Sequence, residues 1–147
     1  MATDTKVTRR GLFRFFAGFG PAAMFRESKP APPPPPAPPV KRVYLAEVYI
    51  AGFRYYEGMR PEVLAMLQPG VDLELRRQAD NRYDDNAIAV FTADSRKLGY
   101  LPRSENALPA AIADQDVPLG AEITEVAPDA QPWRRVRIHV YQKIYTG

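Results

Sequence analysis

From Val71 to Arg76 the chain reads Val-Asp-Leu-Glu-Leu-Arg, which puts three apolar side chains on one face of an extended backbone and three charged ones on the other. Successive strand residues point to opposite faces, so this alternation predicts a half-buried strand. The last segment repeats the pattern: Val136, Ile138, Val140 and Ile144 share one parity, and Arg135, Arg137, His139, Tyr141 and Lys143 the other. Runs near 43–51, 87–93, 97–101 and 119–127 predict further strands, punctuated by turn formers such as Ala93-Asp94-Ser95 and Pro128-Asp129. Two stretches change period. Pro61 suits the first turn of a helix whose Val63, Leu64 and Leu67 share an apolar face and which Pro69-Gly70 stops. A second helix is predicted over about 104–113, with Ser104 or Asn106 as cap, Leu108, Ala111 and Ile112 facing inward, and Pro109 limiting its regular part. Closely spaced short strands with one or two short helices predict a mainly β domain over 43–147, a small barrel or sandwich.

Ahead of it, residues 30–39 read PAPPPPPAPP, eight of the chain's sixteen prolines. Such a run cannot join a packed core and predicts an extended polyproline spacer over 30–42; its PxxP spacing also suits a protein partner with an SH3-like groove. Residues 1–29 form a separate basic, Phe-rich segment. Thr8-Arg9-Arg10-Gly11-Leu12-Phe13-Arg14, followed by the apolar stretch Phe15–Phe25, resembles a twin-arginine export signal. Two other readings stand beside it: a disordered tail, and an amphipathic segment over 9–26 resting on an anionic membrane surface. The apolar stretch is too short to span a bilayer.

Charge divides at the same place. Residues 1–42 hold eight Lys/Arg against two acids, a net of +6, whereas residues 43–147 hold twelve against fifteen, a net of −3. Long duplex is bound through many phosphate contacts on a broad positive face, which the acidic domain lacks; a nucleic-acid site there must be small and local. The chain has no cysteine and one histidine, which excludes disulfides, thiolate metal sites and a histidine-built metal centre, and no cofactor is expected. No phosphate-cradling GxxxxGK[ST] loop and no serine nucleophile motif is present. Asp80, Asp84 and Asp85 leave only an outside prospect of a Mg²⁺-dependent nuclease.

Three segments instead set aromatics and charges beside glycine or a turn: Gly52-Phe53-Arg54-Tyr55-Tyr56-Glu57-Gly58, Asp80 to Val90 (DNRYDDNAIAV), and Leu98-Gly99-Tyr100-Leu101-Pro102-Arg103. Singly, each has a packing or turn explanation. Together they supply what an oligonucleotide-end pocket needs: aromatic faces for a base, arginines for phosphate, and a carboxylate to accept a hydrogen bond from a sugar hydroxyl.

In order and spacing these segments resemble the HIRAN domain, found at the amino terminus of certain DNA-remodelling ATPases and as small bacterial proteins. The resemblance spans about residues 46–144, and RYYEG and N-x-Y-D-x-N-A-I-x-V carry most of it. It implies a modified OB-like β-barrel with added helices that grips the 3′ end of single-stranded DNA without catalysis. Carried over by position, it implies phosphate contact for Arg54, base stacking for Tyr55 and Tyr83, and acceptance from the 3′-hydroxyl for Asp84. Tyr56 would pack and Asn81 would shape the turn. Tyr100 stands where DNA-binding members have histidine, and Arg103 where they have lysine. The second change keeps the charge; in the first, a tyrosine hydroxyl offers one donor to a phosphate oxygen. The implied location is cytoplasmic. An exported or membrane-tethered interaction module, using the same groove for another ligand, is the alternative motivated by residues 1–29.

Overall fold

In the computed structural model, which describes residues 30–147, the alternating segments become six strands: β1 (Val40–Tyr49), β2 (Asp72–Arg77), β3 (Ile88–Phe91), β4 (Lys97–Tyr100), β5 (Leu119–Val126) and β6 (Val136–Tyr145). All pair antiparallel in one sheet of order β1-β6-β5-β2-β3-β4. The two ends of the sheet meet just past β1. There Ala51 and Tyr100 exchange backbone hydrogen bonds of 2.8 and 2.9 Å in an isolated antiparallel bridge, which closes the sheet into a small OB-like barrel.

Gly99 makes that closure possible. Its φ is +151°, and a Cβ there would collide with the carbonyl oxygen of Ala51 and sit 2.8 Å from Ile50 Cγ2, so only glycine lets the two backbones approach. The inward faces of the strands fill the interior with Ile50, Val90, Leu98, Ile123 and Ile138, all fully buried. Phe53, in the 3₁₀ turn Phe53–Tyr55, plugs one end; burying such a side chain stabilises by roughly 1.5–3 kcal/mol. A Cβ on Gly58 would overlap the Phe53 ring, so the glycine of RYYEG is explained by packing.

Several boundaries and faces differ from the sequence expectation. β1 begins at Val40, three residues before the predicted start, because the end of β6 offers partners, pairing Val40 with Tyr145 and Arg42 with Lys143. The first helix, α1 (Pro61–Leu64), is one turn long. Beyond it, Met66 N–H and Leu67 N–H donate to the carbonyls of Val63 and Leu64, a tightened 3₁₀ pattern that still buries Leu67. In the second, α2 (Ala107–Ala113), Pro109 and Ala110 face the core while Leu108 and Ala111 are exposed and Ile112 is half-buried. Seven residues make too few turns for periodicity to fix a face. Tyr141, predicted among the solvated residues of β6, is buried: the Arg42 guanidinium lies 4.5 Å over its ring, and its hydroxyl donates to Asp72 Oδ1 at 3.4 Å.

Residues 30–39 are exposed and carry no regular secondary structure. The segment resembling an export signal, and the expected membrane-surface contact of residues 9–26, lie outside the described residues. Among the described residues no helix is long and apolar enough to cross a membrane.

Candidate functional site

The barrel closure puts three distant segments side by side. The turns after β1, the loop between β2 and β3, and the end of β4 line an open cleft of about 330 Å³. Tyr55, Tyr56, Asn81, Tyr83, Asp84, Tyr100 and Arg103 all contribute to it. Of the residues to which the resemblance assigned a DNA contact, only Arg54 is absent from the lining; its guanidinium lies 5.0 Å from the centre of the Tyr55 ring at the edge.

Tyr55 and Tyr83 are 74% and 82% exposed. Large aromatics with their faces in water are not serving the core, and in a cleft they are available for stacking. Tyr56 and Tyr100 behave differently: their rings pack edge to face at 5.9 Å and form the wall. Burial pushes the Tyr56 hydroxyl above its ordinary value, with the nearby Lys97 ammonium pulling the other way.

Asp84 is held from three sides. Its Oδ1 accepts from Asn86 N–H at 2.9 Å, an Asx turn that sets the loop. Its Oδ2 accepts from Asn106 Nδ2 at 2.7 Å and lies 3.8 Å from Arg103 Nε. Asn106 is fully buried and stands at the head of α2 without a side-chain cap bond; its side chain is used to aim a carboxylate instead of ending a helix. Asn81 Oδ1 accepts from Tyr83 N–H at 2.9 Å, the turn-shaping role expected of it. Asn81 Nδ2 and the Tyr100 hydroxyl both donate to Gln78 Oε1, at 3.2 and 2.9 Å. The Tyr100 proton is therefore engaged within the wall, and a phosphate oxygen would meet it only by displacing Gln78.

Asn106, Gln78, Lys97 and Arg77 are the residues that sequence reasoning missed. Arg77 ends β2 on the parity of Leu73 and Leu75, and a cation on the apolar face of an alternating strand was the available signal. It is largely buried. It donates to Asp85 O at 2.7 Å, to Ala87 O at 3.2 Å and to both carboxylate oxygens of Asp114 at 3.0 and 3.3 Å, tying the Asp84 loop to the end of α2. Arg77→Ala should destabilise the domain by roughly 1.5–3 kcal/mol, the ion pair itself being discounted for the exposure of Asp114. It should also speed amide exchange across residues 84–87. Urea unfolding and hydrogen exchange measure both, and a loss under about 0.5 kcal/mol would show that the loop holds its shape unaided.

Among the described residues, no group of three or more His, Asp or Glu side chains is gathered so as to hold a metal ion. Asp80, Asp84 and Asp85, which share a loop, do not form such a group.

Residues 43–145 match the family model described as HIRAN domain. Among solved structures, a protein from Lactobacillus plantarum is similar over 71% of this chain and 98% of that one, at 30% identity and a TM-score of 0.64. The crystal structure of the HIRAN domain of human HLTF is similar over 69% of this chain and 78% of that one, at 22% identity and a TM-score of 0.55. The NMR structure of the HLTF HIRAN domain gives 21% identity and a TM-score of 0.51, over 71% and 80% of the two chains. At these lower identities the likeness to the human domain is one of fold. No curated protein matches the chain in sequence.

Proposed function

We propose that this chain, which belongs to the HIRAN domain family, is a non-catalytic DNA-binding module that holds the 3′ end of a single strand in its tyrosine-lined cleft. One observation carries the reading: two exposed tyrosine faces and an immobilised carboxylate, brought from separate segments, line the same open cleft. The terminal base stacks on Tyr55 and Tyr83, and its 3′-hydroxyl donates to Asp84. Arg54 and Arg103 attract the backbone. Each stacked base contributes on the order of 1–3 kcal/mol, so a cleft that holds one or two bases binds short strands at micromolar affinity or weaker. The net charge of −3 on residues 43–147 favours the same conclusion, because it repels long duplex while leaving a local site workable. Such a module works where DNA is, in the cytoplasm.

The test is fluorescence anisotropy of the full chain with a short 5′-labelled strand ending in a 3′-hydroxyl or a 3′-phosphate. A phosphate beside the Asp84 carboxylate is repelled and cannot donate as the hydroxyl does, so the hydroxyl end should bind roughly tenfold tighter. Equal affinities would overturn end recognition, and no binding of either strand at high micromolar protein would overturn DNA binding itself.

A further inference from the structure

Lys97 opens β4 directly behind the cleft wall. Its Nζ donates to the Tyr100 hydroxyl oxygen at 2.6 Å and lies 4.6 Å from the centre of the Tyr56 ring and 4.3 Å from that of Tyr100. Both rings line the cleft. An ammonium carries three N–H donors; one is used on Tyr100, and among the described residues the other two have no hydrogen-bond partner. Nor does the charge have a carboxylate among those residues. Glu57 is the nearby candidate, yet its Oε2 accepts from the backbone N–H of Lys97 at 3.1 Å, and its Oε1 pairs with Arg60 at 3.5 Å.

A half-buried ammonium held by two aromatic faces, with no acid to neutralise it, is suited to receive an anion. The cleft's other cations are less well placed for this. Arg103 already faces Asp84, and the Arg54 guanidinium is committed to the exposed Tyr55 ring; Lys97, like Arg54, stands outside the lining itself, but its ammonium rests on the two rings that form the wall. Tyr100, whose proton goes to Gln78, has no donor left. We infer that Lys97 is the cation that binds an internucleotide phosphate next to the held 3′ end, with Tyr100 as the residue that positions its ammonium. The inference rests on the reading of the cleft as a DNA-end site and adds to it the group that fixes the path of the backbone. Aromatic contact strengthens the arrangement, since a cation over two ring faces is stabilised without being neutralised.

The test uses the full chain and oligonucleotides that each carry one uncharged methylphosphonate, placed at successive linkages from the 3′ end. For the parent, one linkage near the end should be sensitive, costing roughly tenfold in affinity. In Lys97→Gln that sensitivity should vanish, and the slope of log affinity against log salt should fall by about 0.7, the value of one phosphate on a single strand. Lys97→Arg should keep both. Because each variant is compared with itself across probes, a merely structural loss would lower all affinities alike and leave the profile intact. An unchanged methylphosphonate profile and salt slope in Lys97→Gln, with the parent still preferring the hydroxyl end, would overturn the Lys97 inference alone. Failure of the parent to bind any strand would overturn it together with the DNA-end reading.

Discussion

Asp84→Ala is expected to lower affinity for a strand ending in a 3′-hydroxyl by roughly tenfold to a hundredfold, the range that follows from a net 1.5–3 kcal/mol for a hydrogen bond to a charged group. The sign of the change is as informative as its size. A carboxylate in a phosphate-binding cleft is repulsive, so removing one that only solvates a turn would tighten binding. Weaker binding confined to the hydroxyl end requires that Asp84 make a contact that outweighs the repulsion, and the sugar hydroxyl is the available donor. The preference for hydroxyl over phosphate ends should vanish in the same variant. Part of the effect will be structural, since Asn106 Nδ2, now 2.7 Å from Asp84 Oδ2, would be left unpaired in a buried site at a cost of about 1–3 kcal/mol. Comparing the two end chemistries on the variant itself separates these contributions, with thermal melting as the control. Tighter binding of both ends by Asp84→Ala would sink the clamp.

The largest effect on stability is expected at Gly99. Gly99→Val forces a branched side chain into a backbone with φ of +151° and onto the Ala51 carbonyl and the Ile50 side chain. Left-handed strain of about 1–2 kcal/mol, overpacking of about 1–3 kcal/mol and the two weakened bridge hydrogen bonds at about 1 kcal/mol each together predict a loss of roughly 4–7 kcal/mol. A small domain has only about 5–15 kcal/mol in all. Chemical denaturation should therefore find the variant near the limit of folding. A loss under about 1 kcal/mol would mean that the bridge between Ala51 and Tyr100 is not a fixed part of the barrel.

What could be read in advance was local. Parity along 71–76 and 136–140 assigned strands and their buried faces correctly, because side-chain alternation is a property of each strand alone. The cleft residues were legible for a related reason: RYYEG and NRYDDNAIAV are continuous segments, and each turn brings its own aromatics and acids together. The residues that aim those groups were not legible. Asn106 reaches Asp84 across 22 positions, and Tyr100 reaches Gln78 across another 22. Those pairings exist only once β2, β3 and β4 lie side by side in the sheet. Asn106 looked like a helix cap because asparagine before a short helix usually is one; here the half-buried carboxylate of Asp84 was the stronger claimant. Tyr141 had the parity of a solvated residue and kept it, and its burial comes from Arg42 on the neighbouring strand, which no pattern within β6 announces.

The brevity of the bridge at Ala51 and Tyr100 has a bearing on self-association. One bridging pair joins the two ends of the sheet, so most of the outer edge of β1, and that of β4, stays unpaired. Such edges are templates on which another chain can add a strand. Here β1 is entered through Pro38 and Pro39, which have no N–H to offer. It then presents Lys41 and Arg42 and bends at a bulge between Tyr44 and Ala46, while β4 is four residues long and contains the irregular Gly99. The bulge interrupts the ten residues of β1 and the edge of β4 is short, so the same economy that leaves the barrel barely closed does not offer a long flat edge on which fibres could grow.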